Sequence, residues 1–166
     1  MRVPEGFEAF FAEHHDGVVR ALTLVFGDRP AAEDAAQVGF ERAYARWHRV
    51  GSYTRPGTWV YVVALRHGRS QLREREVVGP ATDGVASDQT QALVDRLAIV
   101  DHVLALPAQQ RAVVVLRHLA GLQLSEIAQA MGIRVGTVKS TLHAAHSRLR
   151  VAMELGAEDR EVRDAH

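Results

Sequence analysis

The chain has 166 residues, 47% hydrophobic and 24% charged, which suits one medium folded domain or two small ones and excludes wholesale disorder. The absence of cysteine excludes disulfides, iron–sulfur clusters and thiolate zinc sites, and no apolar run approaches the roughly 20 residues of a membrane span. The net charge is zero but unevenly spread: Arg96 to Met153 holds seven bases against two acids, and Glu76 to Asp95 holds four acids and no base. A basic segment behind an acidic connector is an asymmetry that a nucleic-acid binder can hide in a neutral total. The start, Met1 to Glu5, lacks the apolar stretch of a signal peptide, and the reading is cytoplasmic.

In chain order the pattern is helical almost throughout. Phe7, Phe10, Phe11, Val18, Leu22 and Val25 recur at helical spacings, and Gly27 is a stop. Pro30 marks the next helix start, and Ala31 to Trp47 has an inner stripe of Ala36, Phe40, Ala43 and Trp47. Gly51 to Gly57 reads as a loop, and Thr58 to Arg75 as a third helix, apolar first and basic later. Residues 76–92 are small, polar and acidic, the composition of a flexible linker. After it come helices over Leu93 to Leu106, Ala108 to Leu119, Leu124 to Met131 and Val135 to Met153, with a charged, fraying tail at 154–166. The expectation is an all-α chain of two small helical domains, at 1–75 and 93–153, joined by that tether.

The segment from Ser125 to Leu142 has the layout of a helix-turn-helix. Ile127, Ala128 and Met131 form the inner face of its first helix, Gly132 supplies a left-handed turn residue, and Ile133 plugs the core. Val138, Leu142, Ala145 and Leu149 form the inner stripe of the second helix. Thr137, Lys139, Ser140, Thr141, His143 and Ala144 remain outside, short polar groups and a base suited to base edges and phosphates. A plain helical hairpin with a solvated outer face satisfies the periodicity as well. The adjacent His14 and His15 point apart on a helix and His143 and His146 could share a face, but neither pair has the ligand set of a tetrahedral metal site, and no motif of a catalytic centre or bound cofactor is present. The chain does not read as an enzyme.

Two blocks resemble the extracytoplasmic-function (ECF) group of the sigma-70 family of bacterial sigma factors. Leu106 to Leu122, running into Glu126-Ile-Ala and Gly136-Thr-Val-Lys-Ser140, is similar to their C-terminal domain, which binds the promoter −35 element. Asp28 to Gln37 with Phe40, Ala43 to Trp47 and Trp59 to Ala64 is similar to their N-terminal domain, which engages core polymerase and the −10 element. The resemblance implies a transcription initiation factor whose partners are core RNA polymerase (β′ and β subunits), promoter DNA and an anti-sigma factor. A stand-alone helix-turn-helix regulator and an interaction protein on a degenerate sigma fold are the alternatives.

The resemblance also implies sites. Glu33, Asp34, Gln37 and Phe40 match the helix that docks on β′, with Phe40 either a contact or core. His48, Tyr53, Arg55, Tyr61, Arg66, Arg69 and Arg73 are the −10 candidates, aromatics to stack on bases and arginines to grip phosphates, while Trp59 leans to the core. Arg134, Thr137, Lys139, Ser140, Thr141, His143 and Arg148 are the −35 candidates. The chain departs from the family at Val38-Gly39, where an acid is usual, at Val62 and Arg66, and at Arg134, where a capping serine is usual. Thr141, Ala144 and His146 stand where arginines are usual, which implies a weaker, less salt-sensitive hold on −35 DNA.

Overall fold

The computed structural model describes residues 3–76 and 99–164. Within them every regular element is a helix: α1 (Phe7–Phe26), α2 (Arg29–Ala45), α3 (Trp47–Val50), α4 (Pro56–Glu76), α5 (99–104), α6 (Ala108–His118), α7 (Leu124–Met131) and α8 (Val135–Asp164). The expected linker beyond Glu76 and the helix start at Leu93 lie outside the described residues.

Local chemistry sets the boundaries. Gly27, at φ +70°, closes α1 by returning its N–H to the Thr23 carbonyl. The Asp28 carboxylate caps α2, accepting from the Ala31 N–H at 3.3 Å, and Pro30 occupies the first turn, where its missing N–H costs nothing. Arg46 breaks the expected run to Trp47, so that Trp47 opens α3 instead. Gln123 and Glu126 form a reciprocal capping box at the start of α7, and Gly132 at φ +67° ends it. Met153 is not the end of the last helix: α8 continues to Asp164 through the segment expected to fray.

The first half is a bundle of α1, α2 and α4, in which α2 packs extensively against both neighbours. Ala32, Ala35, Ala36, Gly39, Phe40 and Ala43 form its inner face. Those small side chains allow a close crossing: a Cβ on Gly39 would lie 3.1 Å from Ala64 Cβ, Val60 Cγ1 and the Val60 carbonyl oxygen. Phe7 stacks edge-on to Trp47 and Tyr44, and Trp47 Nε1 donates to the Glu5 carbonyl at 2.8 Å, which fastens α3 to the start of α1. Phe11, expected inside, is 38% exposed, although its ring still meets Phe40 edge-on.

The second half packs α6, α7 and α8 around Val113, Leu116, Leu122, Ile127 and Val138, all fully buried. The two halves are not separate beads. One continuous apolar cluster runs from Phe7 to Val138, and α4 lies against α7 as α1 does against α6. Arg111, a residue that sequence reasoning passed over, joins them: its Nε donates to the Val25 carbonyl at the end of α1 at 3.2 Å, and its Nη1 to the Leu104 carbonyl at 2.9 Å. Burial pushes that guanidinium below its ordinary value.

Candidate nucleic-acid interface

Three outward faces carry the chemistry. On α2 the residues opposite the alanine stripe are Glu33, Asp34 and Gln37, all exposed. Glu33 pairs with Arg29 Nε at 2.8 Å, and Gln37 Nε2 donates to Glu41 at 2.8 Å. Glu41 therefore extends the same acidic stripe one turn further. Spacing alone signals it, since it follows Gln37 by four residues. Phe40 does not belong to this face: it is 3% exposed, its ring packed against Phe10, Phe11 and His15. The docking set is corrected by that residue, because α2 turns position 40 inward beside Ala36 and Ala43. Gly39 likewise faces α4, while Val38 beside it is half-buried.

The second face is built by α4. Val60, Tyr61, Ala64 and Leu65 point into the core, leaving Arg66, Arg69 and Arg73 in a basic row spaced by three and four. Tyr61 is corrected out of the base-stacking set: it is 8% exposed, and desolvation raises its hydroxyl above the ordinary value against an opposing pull from Arg20. Trp59 and Trp47 both pack against the core. His48 on α3 and Tyr53 in the following loop are exposed, and so is Arg73, whose Nε reaches the Arg69 carbonyl at 3.4 Å. Arg55, Arg66 and Arg69 are engaged with the second half. Arg55 Nη1 pairs with Glu126 at 2.8 Å and its Nη2 donates to the Gly121 carbonyl at 2.6 Å. Arg66 and Arg69 donate to the Gln129 carbonyl at 2.7 Å and the Met131 carbonyl at 3.2 Å. Burial first, and then the Arg73 charge, lowers the Arg69 guanidinium from its ordinary value.

The third face is the start of α8. Val138 and Ala145 are fully buried and Leu142 and Leu149 pack against the core, which reproduces the expected inner stripe. Thr137, Lys139, Ser140, His143 and Arg148 are exposed, Thr141 is half-buried, and Arg134 stands exposed just before the helix. Ser140 donates to the Thr137 carbonyl at 3.1 Å, holding its hydroxyl close to the helix surface. His146 pairs across to α6, where its Nε2 lies 2.9 Å from that of His118. Desolvation, then His146 and Arg117, lowers the His118 imidazole below its ordinary value.

An exposed acidic stripe, a basic row and an outward recognition helix thus follow one another along one chain. Residues 10–77 match the family Sigma-70 region 2, and residues 96–149 match Sigma-70, region 4. The ECF RNA polymerase sigma factor SigL of Mycobacterium tuberculosis is 35% identical over 159 residues, 89% of this chain and 89% of SigL. The chain belongs to the ECF sigma factors. The RNA polymerase sigma-E factor of Streptomyces coelicolor is 32% identical, over 95% of this chain and 90% of that protein. Among solved structures, the sigma factor RpoE of Bartonella quintana, in complex with the anti-sigma factor NepR, superposes with a TM-score of 0.74 at 21% identity, covering 91% of this chain and 98% of RpoE. At that identity the likeness concerns the fold. This sigma factor is a transcription initiation factor that binds core RNA polymerase and directs it to promoters through −10 and −35 elements. The family is in general neither enzymatic nor membrane-bound, and no helix among the described residues is long and apolar enough to cross a membrane.

Proposed function

We propose that the three faces divide the work of initiation. The α2 stripe of Glu33, Asp34 and Gln37, extended by Glu41, docks on a basic surface of core polymerase. The α4 row of Arg66, Arg69 and Arg73, with Arg55, His48 and Tyr53 at its head, holds the opened −10 element. The start of α8, from Arg134 to Arg148, reads −35 duplex. The observation that carries this division is the helical phase of each element: acids and amides face out on α2, arginines on α4 and short polar groups on α8, while every opposite face is buried. Phosphates favour the second and third faces, and a cationic partner favours the first.

The pairing of both regions in one chain favours this reading over a stand-alone helix-turn-helix regulator. The domains then run over 1–75 and 93–153, and the chain works in the cytoplasm without catalysing a reaction itself, the RNA being made by the polymerase. RpoE of Bartonella quintana was solved with an anti-sigma factor, and a partner of that class fits a chain with two DNA faces to cover. Run-off transcription with reconstituted holoenzyme tests the docking assignment. Asp34→Ala combined with Gln37→Ala should abolish the transcript and co-purification with core while leaving the melting temperature within a degree or so, since both side chains are exposed surface groups. A full transcript from that double variant refutes the assignment.

A further inference from the structure

The contact between the halves uses the same arginines that the −10 reading assigns to DNA. Arg55 meets both Glu126 and the Gly121 carbonyl, and Arg66 and Arg69 take the Gln129 and Met131 carbonyls. Gln129 and Met131 lie in the last turn of α7, where helix carbonyls have no intrahelical partner and carry the negative end of the helix dipole. Guanidinium groups satisfy those carbonyls as they would satisfy phosphate oxygens. Glu126 is the one acid between Asp101 and Glu154, and its Oε2 serves two donors, the Gln123 N–H at 2.6 Å and Arg55 at 2.8 Å. The α2 stripe and the outer face of α8 remain exposed in the same arrangement, so the contact covers one working face out of three.

We propose that α7 is an internal competitor for the −10 strand: its Glu126 and its carbonyl end occupy Arg55, Arg66 and Arg69, and the sigma factor takes up opened DNA only when α4 and α7 part. This rests on the −10 assignment above. The competition is selective, because duplex binding at α8 and docking at α2 need no separation. Apparent affinity for single-stranded DNA is then the intrinsic affinity reduced by the fraction of chains that are open.

The test is a titration of full-length variants with a fluorescent single-stranded DNA of mixed sequence and with a duplex of the same sequence. Glu126→Gln removes the carboxylate charge that faces Arg55 but keeps a residue that serves a capping box, so α7 keeps its start. It should bind the single strand about two- to fivefold more tightly than wild type, the opening expected from losing a partly exposed ion pair, with duplex binding unchanged. Asp101→Asn, an exposed acid of the same half outside the contact, controls for net charge and should leave both affinities alone. Arg73→Ala should weaken single-strand binding in either background. If Arg73→Ala and Arg66→Ala leave single-strand binding untouched, the −10 assignment fails and the competition falls with it. If they weaken it while Glu126→Gln binds no better than wild type, the assignment stands and the competition is refuted. Hydrogen exchange supplies a second readout: saturating single-stranded DNA should raise exchange at residues 124–131 of the wild-type chain, and unchanged exchange overturns the proposal.

Discussion

Gly39→Ala isolates the crossing that positions both N-terminal faces. Gly39 sits where α2 meets α4, and an added Cβ would meet three atoms at 3.1 Å, among them the Val60 carbonyl oxygen. Ala64 and Val60 are fully buried, so neither has free space to withdraw into, and a backbone oxygen moves only with its helix. Alanine is favoured over glycine within a helix by about 0.5–1 kcal/mol. Overpacking a filled core costs about 1–3 kcal/mol. The steric term wins, for a net loss of about 1 kcal/mol and a melting temperature lower by about 3–5 °C. Thermal unfolding by circular dichroism, with urea denaturation as a check, measures it. A Gly39→Ala protein more stable than wild type would show that the helices can part freely there, and that glycine is not required by the crossing.

Other outcomes follow from single features. Arg134→Ser places a hydroxyl before α8 where the first-turn amides need an acceptor, and should raise stability by about 1 kcal/mol in the same unfolding assay. The lowered His118 imidazole means that the unfolded chain takes up a proton at higher pH than the folded one. Its contribution to stability is present above the ordinary histidine value of 6.5 and is lost as pH falls below it, so the melting temperature should drop on acidification, and less steeply in His118→Gln. With Thr141, Ala144 and His146 in place of bases, the full chain without polymerase should hold duplex DNA more weakly than nanomolar in physiological salt, read by fluorescence anisotropy.

What the sequence disclosed and what it withheld separate along physical lines. The α8 stripe of Val138, Leu142, Ala145 and Leu149 was legible because burial on one face of a long helix leaves a period. So were the helix start at Pro30 and the Gly132 turn, whose chemistry is local. Tyr61 went astray because matching a motif assigns a role to a position without asking which way its helix turns there, whereas for Phe40 the helical period already pointed inward and prevailed over the motif. Each falls on its helix's inner stripe, Phe40 with Ala36 and Ala43, Tyr61 with Ala64 and Leu65. The run of α8 to Asp164 lacks an apolar stripe, yet residues such as Ala157, Glu158 and Arg160 favour helix once a packed segment has nucleated it. Least legible was the contact of Arg55, Arg66 and Arg69 with α7 and the turn before it, because three of its acceptors are backbone carbonyls, which every sequence supplies. Glu126, an acid alone in a basic segment, was the only mark it left.

Open-complex formation on a promoter selected by the holoenzyme tests the assignment of α4 most directly. Permanganate reactivity of unpaired thymines at the −10 element should appear with wild-type chain and core polymerase. It should fall severalfold with Arg66→Ala plus Arg73→Ala, while co-purification with core stays intact. Unchanged reactivity with that double variant would show that the basic row of α4 does not hold the opened strand.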